Sequence, residues 1–92
     1  MDDGQWRYEE GLPEFLAAVR YELRRARELH RPIASAHEGY AVILEELDEF
    51  WDEVRLKEDQ RLPGRMYAEL VQVAAMAMRV AEDVVAIELE EG

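Results

Sequence analysis

Apolar side chains recur along this chain with a spacing between three and four, and nowhere alternate in the strict period-two pattern of a half-buried strand. Tyr40, Ile43, Leu44, Leu47, Phe50, Trp51 and Val54 follow i, i+3, i+4, i+7, one face of an amphipathic helix. Ser35-Ala36-His37-Glu38 has the S-x-x-E form of a capping box, so this helix should run from about 36 to 57. An earlier stripe, Leu12, Phe15, Leu16, Val19, Leu23, Ala26 and Leu29, predicts a helix over about 13–31. Pro13 suits its first position and Pro32 stops it. Residues 1–11, with Gly4 and Gly11, are expected as an irregular arm anchored by Trp6 and Tyr8. Lys57 to Gly64 reads as a loop ending in a Pro63-Gly64 turn signal. A third helix, over about 65–89, contains no internal Gly or Pro. It is apolar nearly all round from Met66 to Ala81, the mark of burial on several sides. The expectation is an all-α fold: one domain spanning 1–92, an antiparallel bundle of three main helices completed by dimerisation.

Polar residues interrupt this pattern in two places. Glu45-Glu46-Leu47-Asp48-Glu49-Phe50-Trp51-Asp52-Glu53 packs acidic residues densely while keeping the apolar period. Glu46, Glu49 and Glu53 form a stripe bordering the apolar face through Ile43 and Phe50. Residues three or four apart on a helix are neighbours, so these like charges repel. Such a stripe faces water or holds a cation. On the third helix Glu69, Gln72 and Arg79 fall close to one line. A glutamate on so apolar a helix is costly unless paired or metal-bound. The two polar stripes should face each other.

Composition narrows the chemistry. A formal net charge of -11, from 22 acidic and 11 basic residues, argues against binding a nucleic-acid polymer, which needs a basic face. A nucleotide substrate stays open if a metal screens its phosphates. With no cysteine, thiolate zinc sites and disulfides are excluded. Two lone histidines are too few for a His-rich metal site. The acidic N-terminus does not resemble a signal peptide, and no stretch approaches the roughly 20 apolar residues of a membrane span. A cytoplasmic location is therefore the default. Arg20, Arg24, Arg25, Arg27 and Arg31 cluster in the second half of the first helix, where they suit the helix dipole and acidic neighbours. One or two of them gripping a phosphate is the sharper reading. His37, in a first helical turn, is placed to cap, pack or touch a ligand. Trp51 is expected in a core or interface.

Three classes of function compete. One is a magnesium-dependent hydrolase of nucleoside triphosphates, because magnesium takes oxygen ligands and shares them with substrate phosphates. Carboxylates at i, i+3 on two facing helices supply such a site, here Glu46/Glu49 and Glu69/Gln72. The second is a binding or regulatory module of the same fold without turnover. The third is an acidic interaction protein whose stripes are solvated. Glu69 weighs against the last.

The segments Ser35-Ala36-His37-Glu38-Gly39-Tyr40-Ala41-Val42-Ile43-Leu44-Glu45-Glu46-Leu47-Asp48-Glu49 and Glu69-Leu70-Val71-Gln72-Val73-Ala74-Ala75-Met76-Ala77 resemble the MazG-like, all-α nucleoside triphosphate pyrophosphohydrolases, in particular the short single-domain type of phages and bacteria. That family's pattern is EExxE on one helix and ExxD on the next. The chain matches the first with Glu45, Glu46 and Glu49. It matches the second at Glu69 alone and has Gln72 where the pattern has Asp. The resemblance spans roughly residues 33 to 85.

The resemblance implies hydrolysis of a nucleoside triphosphate to monophosphate and pyrophosphate with magnesium, or manganese, as cofactor. It implies Glu46, Glu49, Glu69 and Gln72 at the metal, and Glu45 as a further ligand or the group that orients or deprotonates water. Glu45, Glu46 and Glu49 would thus be the catalytic set, with His37 and Arg79 expected at the substrate. The family forms dimers or dimers of dimers, which agrees with an over-apolar third helix. A glutamine carbonyl oxygen ligates magnesium without adding charge. An active enzyme with fewer metals, recruitment of Asp48, Asp52, Glu53 or Asp83, and a silent nucleotide-binding relative all follow as alternatives.

Overall fold

The computed structural model describes residues 3–91, with side chains from residue 11 to residue 90. Apart from the connections between helices they are helical, with no strand among them. Helix α1 is Asp3–Leu29, α2 is Ala36–Val54 and α3 is Pro63–Val80. A single 3-10 turn, Glu58–Gln60, lies in the α2–α3 connection. After α3 the helical path continues through a π-helical stretch, Ala81–Val85, into a short α4, Ala86–Glu91.

Two expected boundaries are corrected. The anticipated irregular arm is helical from Asp3 onward, and Pro13 lies inside α1. Proline's fixed φ is compatible with a helix; it removes one backbone donor and strains one turn, and here the helix runs through. Helix α2 stops at Val54 instead of 57. Arg61 Nε donates to the Val54 and Leu56 carbonyl oxygens, supplying the last turn with a side-chain donor. The expected start of α2 holds: the Ser35 hydroxyl accepts from the Glu38 N–H at 3.1 Å. The Glu38 carboxylate pairs with Arg31 instead of returning to its own cap, so half of the capping box is made.

Helix α3 is the centre of the fold. Both α1 and α2 pack against it, and among the described residues they do not pack against each other. Val19 and Ala26 of α1 meet Val71, Ala75 and Met76 of α3, with Phe15, Ala18, Val42, Ile43 and Ala74 filling in around them. Phe15 and Tyr67 meet edge to face, ring centroids 5.6 Å apart. Because α1 and α2 diverge, a cleft opens between them with α3 as its floor.

The α2–α3 seam is tightest at Gly39. A Cβ there would stand 2.8 Å from Val80 Cγ1, so the absence of a side chain is what admits this approach. Just past Val80 the π-turn presents Asp83. Its carboxylate accepts from the Ile33 backbone N–H at 3.0 Å and pairs with Arg27 at 2.9 Å. The α1–α2 connection is thereby fastened to the far end of α3.

Helix α2 buries only part of the stripe its periodicity suggests. Ile43, Phe50 and Val54 of that stripe are half-buried, together with Val42, Glu46 and Glu53 beside it and the buried Gly39, whereas Tyr40, Leu44, Leu47 and Trp51 are exposed. Tyr40 keeps 68% and Trp51 58% of their surface. The radius of gyration is 15.4 Å, against about 12 Å for a compact chain of this length. Among the described residues no helix is long and apolar enough to cross a membrane.

Candidate metal centre

Midway along the seam, the two polar stripes meet. Glu46 and Glu49 stand one turn apart on α2, and Glu69 faces them from the antiparallel α3. One carboxylate oxygen from each lies within 4.8 Å of the others. Three anions are thus held where one divalent cation would touch them all. Packing holds the two helices together: Val42 and Ile43 of α2 pack against the core to which α3 contributes Val71, Ala75 and Met76.

The electrostatics are those of an uncompensated site. Glu46 Oε2 and Glu69 Oε2 are buried and have no hydrogen-bond partner. Burial, reinforced by Glu49 and then by Glu69 and Glu45, pushes the Glu46 carboxyl up to about 7. Glu69 is also raised, chiefly by burial and then by Glu49 and Glu53, with Arg65 opposing. The donor set is all oxygen, hard and anionic, which fits magnesium or manganese.

Glu53 extends the cluster by one turn. One of its oxygens is buried without a partner and the other lies 3.5 Å from Arg65 Nη1. Of the acidic residues considered as replacements for the missing aspartate, Glu53 alone stands beside Glu69. Asp52 pairs with Arg55 at 3.1 Å, Asp48 is exposed, and Asp83 is committed to Arg27 and Ile33. Arg65 is the cation that reaches this region. Arg61 is occupied with backbone carbonyls.

Next to the carboxylates, the cleft between α1 and α2 forms a cavity of about 510 Å³. Glu46 borders both. Glu45 and Gln72 line the cavity, and Arg79 lies at its far end with Glu38 and Arg31. The expected line of Glu69, Gln72 and Arg79 is therefore split: Glu69 turns to the carboxylate cluster while the other two line the cavity. His37 is exposed on the first turn of α2 and does not line it; His30 does. The part of His30 in the lining had no signal in the sequence. Arg25 and Arg31, within the expected arginine cluster, line the cavity but are paired with Glu22 and Glu38.

Comparison with protein families, with curated proteins and with solved structures finds no match to this chain.

Proposed function

We propose that the chain is a magnesium-dependent nucleoside triphosphate pyrophosphohydrolase of MazG-like type. The observation that carries this reading is the convergence of Glu46, Glu49 and Glu69 on one point, with buried oxygens left unpartnered. A cluster that repels itself in a folded protein has a reason to exist if a cation completes it. The adjoining cavity, large enough for a nucleoside, supports a nucleotide as the substrate.

In this reading Glu46, Glu49 and Glu69 hold the ion, with Glu53 or the Gln72 carbonyl oxygen as a further donor. Magnesium, held there, would supply positive charge to the phosphate oxygens. Glu45, exposed at the cavity edge beside Glu46, would orient the attacking water or take its proton. The water oxygen bonds to the α-phosphorus, the bond from that phosphorus to the α–β bridging oxygen breaks, and pyrophosphate leaves. Arg65 is placed to offset charge near the cluster.

The exposed stripe Tyr40, Leu44, Leu47 and Trp51 on α2 supports a homodimer built on that face. A Trp51→Asp chain that sediments as wild type would remove that part.

Thermal unfolding with and without magnesium, across a panel of nucleoside triphosphates, followed by pyrophosphate assay on the same samples, tests the function. A magnesium-dependent rise in Tm with pyrophosphate produced is the expected result. A rise without pyrophosphate identifies a silent nucleotide-binding relative, the reading that Gln72 in place of an acid favours. No rise and no pyrophosphate sink both.

A further inference from the structure

Arg79 is 5% exposed and is the only buried charged residue among those described. A guanidinium has five N–H donors. Here Nη2 donates to the Arg31 carbonyl oxygen at 3.2 Å and Nη1 to the Met76 sulfur at 3.4 Å, and a thioether is a weak acceptor. Nε is buried with no partner. Among the described residues no carboxylate oxygen lies within 4.0 Å of its nitrogens, in contrast to Arg25 and Arg31 in the same cavity. Asp83 feels its charge but spends its own oxygens on Arg27 and Ile33. A desolvated cation with spare donors and no carboxylate in direct contact is expensive for a fold to keep.

Arg79 lines the cavity, and its guanidinium folds back to the level of Met76. From Glu69 to Met76 is seven residues, roughly 10 Å of helix rise. Arg79 is therefore too far along α3 to share the phosphate group that a metal at Glu69 would hold. Among the described residues no Phe, Tyr or Trp lines the cavity, so this end offers a charge instead of a stacking surface.

We propose that the end of the cavity centred on Arg79 is a binding site for an oxyanion, the phosphate or carboxylate group of a small ligand, distinct from the carboxylate cluster. The site needs no metal. Where it rests on the proposed function, it narrows the substrate: a molecule reaching both places carries anionic groups roughly 10 Å apart.

The test is NMR of the Arg79 Nε–H in the full chain, in EDTA, titrated with inorganic phosphate. The Arg79→Lys spectrum assigns the resonance. The expected result is a saturable shift of that signal in the wild type, with phosphate binding weakened about tenfold in Arg79→Lys and unchanged in Glu69→Gln. No saturable shift, or equal phosphate binding in Arg79→Lys, overturns the site. If Arg79→Met fails to fold, the wild-type titration and the lysine variant still decide. EDTA separates the two proposals. Phosphate binding without pyrophosphate release in magnesium would sink the enzyme and leave the anion site standing.

Discussion

Two acidic regions sit on the same seam between α2 and α3, and they are built on opposite principles. At the Gly39–Val80 end, Asp83 is 7% exposed on its side chain and fully employed: Arg27 neutralises it and the Ile33 N–H caps it. Its pKa is lowered despite burial, because hydrogen bonds from Ile33 and Arg27 outweigh desolvation. In the middle of the seam, Glu46 and Glu69 are partly buried, raised in pKa, and left with unpartnered oxygens. A carboxylate the fold uses for itself comes with its donors. One the fold holds for something else comes without them, and its repulsion is tolerated because the surrounding helix contacts are strong enough.

The largest expected difference is between removing a charge from each region. Glu69→Gln should lower pyrophosphate release by on the order of a hundredfold or more, since even groups behind the ligands cost ten- to a hundredfold. The same change should abolish the magnesium-dependent rise in stability, about 2.7 kcal/mol at a hundredfold excess over Kd. It should leave the metal-free protein as stable or more so, because a repelling charge is gone. A metal-free Tm that falls sharply would break the comparison by making Glu69 structural.

Asp83→Ala should do the reverse. It leaves the Ile33 N–H and Arg27 without their partner and should destabilise by about 2–3 kcal/mol in urea unfolding, with or without magnesium. Gly39→Ala presses a methyl on Val80 and should cost about 1–3 kcal/mol. Pairing it with Val80→Ala should recover part of that loss, and a double-mutant cycle reads the coupling.

The two regions also respond oppositely to pH. Glu46 binds a proton more tightly folded than unfolded, so metal-free stability is highest below pH 4.5 as far as this group is concerned. It falls as pH rises toward and through about 7. Asp83 has a lowered pKa, so its contribution is present above 3.8 and is lost as pH falls below that. Urea unfolding without metal should therefore show stability declining from about pH 5 to about pH 8, and Glu46→Gln should flatten the decline. Magnesium should flatten it too. The smallest effect expected is Gln72→Asp, a gain in magnesium affinity of up to about tenfold by calorimetry, from one added anionic ligand.

Much of this architecture was legible in the chain. Helix periods, the Ser35 cap, the break at Pro32 and the facing of Glu46/Glu49 with Glu69 follow from spacing and charge. What escaped is instructive about what spacing encodes. Gly11 and Pro13 are helix-breaking by propensity, yet α1 runs from Asp3 through both. The stripe Tyr40, Leu44, Leu47 and Trp51 is as periodic as any core face, but α3 covers the neighbouring stripe and leaves this one bare. Periodicity reveals an apolar face and is silent on which surface will cover it. Arg79 fell within a run read as buried on several sides, but its place in the cavity, apart from Glu69, depends on the divergence of α1 and α2, a property of three helices together.

The π-helical stretch over Ala81–Val85 is equivalent to one residue spliced into an α-helix. A chain shortened by one residue there could close as an uninterrupted helix with everything downstream close to its present heading, because the π-turn takes up its extra residue within one widened turn. The same deletion inside α3 would turn the downstream residues by about 100° and draw them back by about 1.5 Å, carrying Ile87 and Leu89, both exposed, to a different side of the molecule. This segment is thus the point on the third helical path where a single-codon deletion should disturb the heading of the C-terminal turn least.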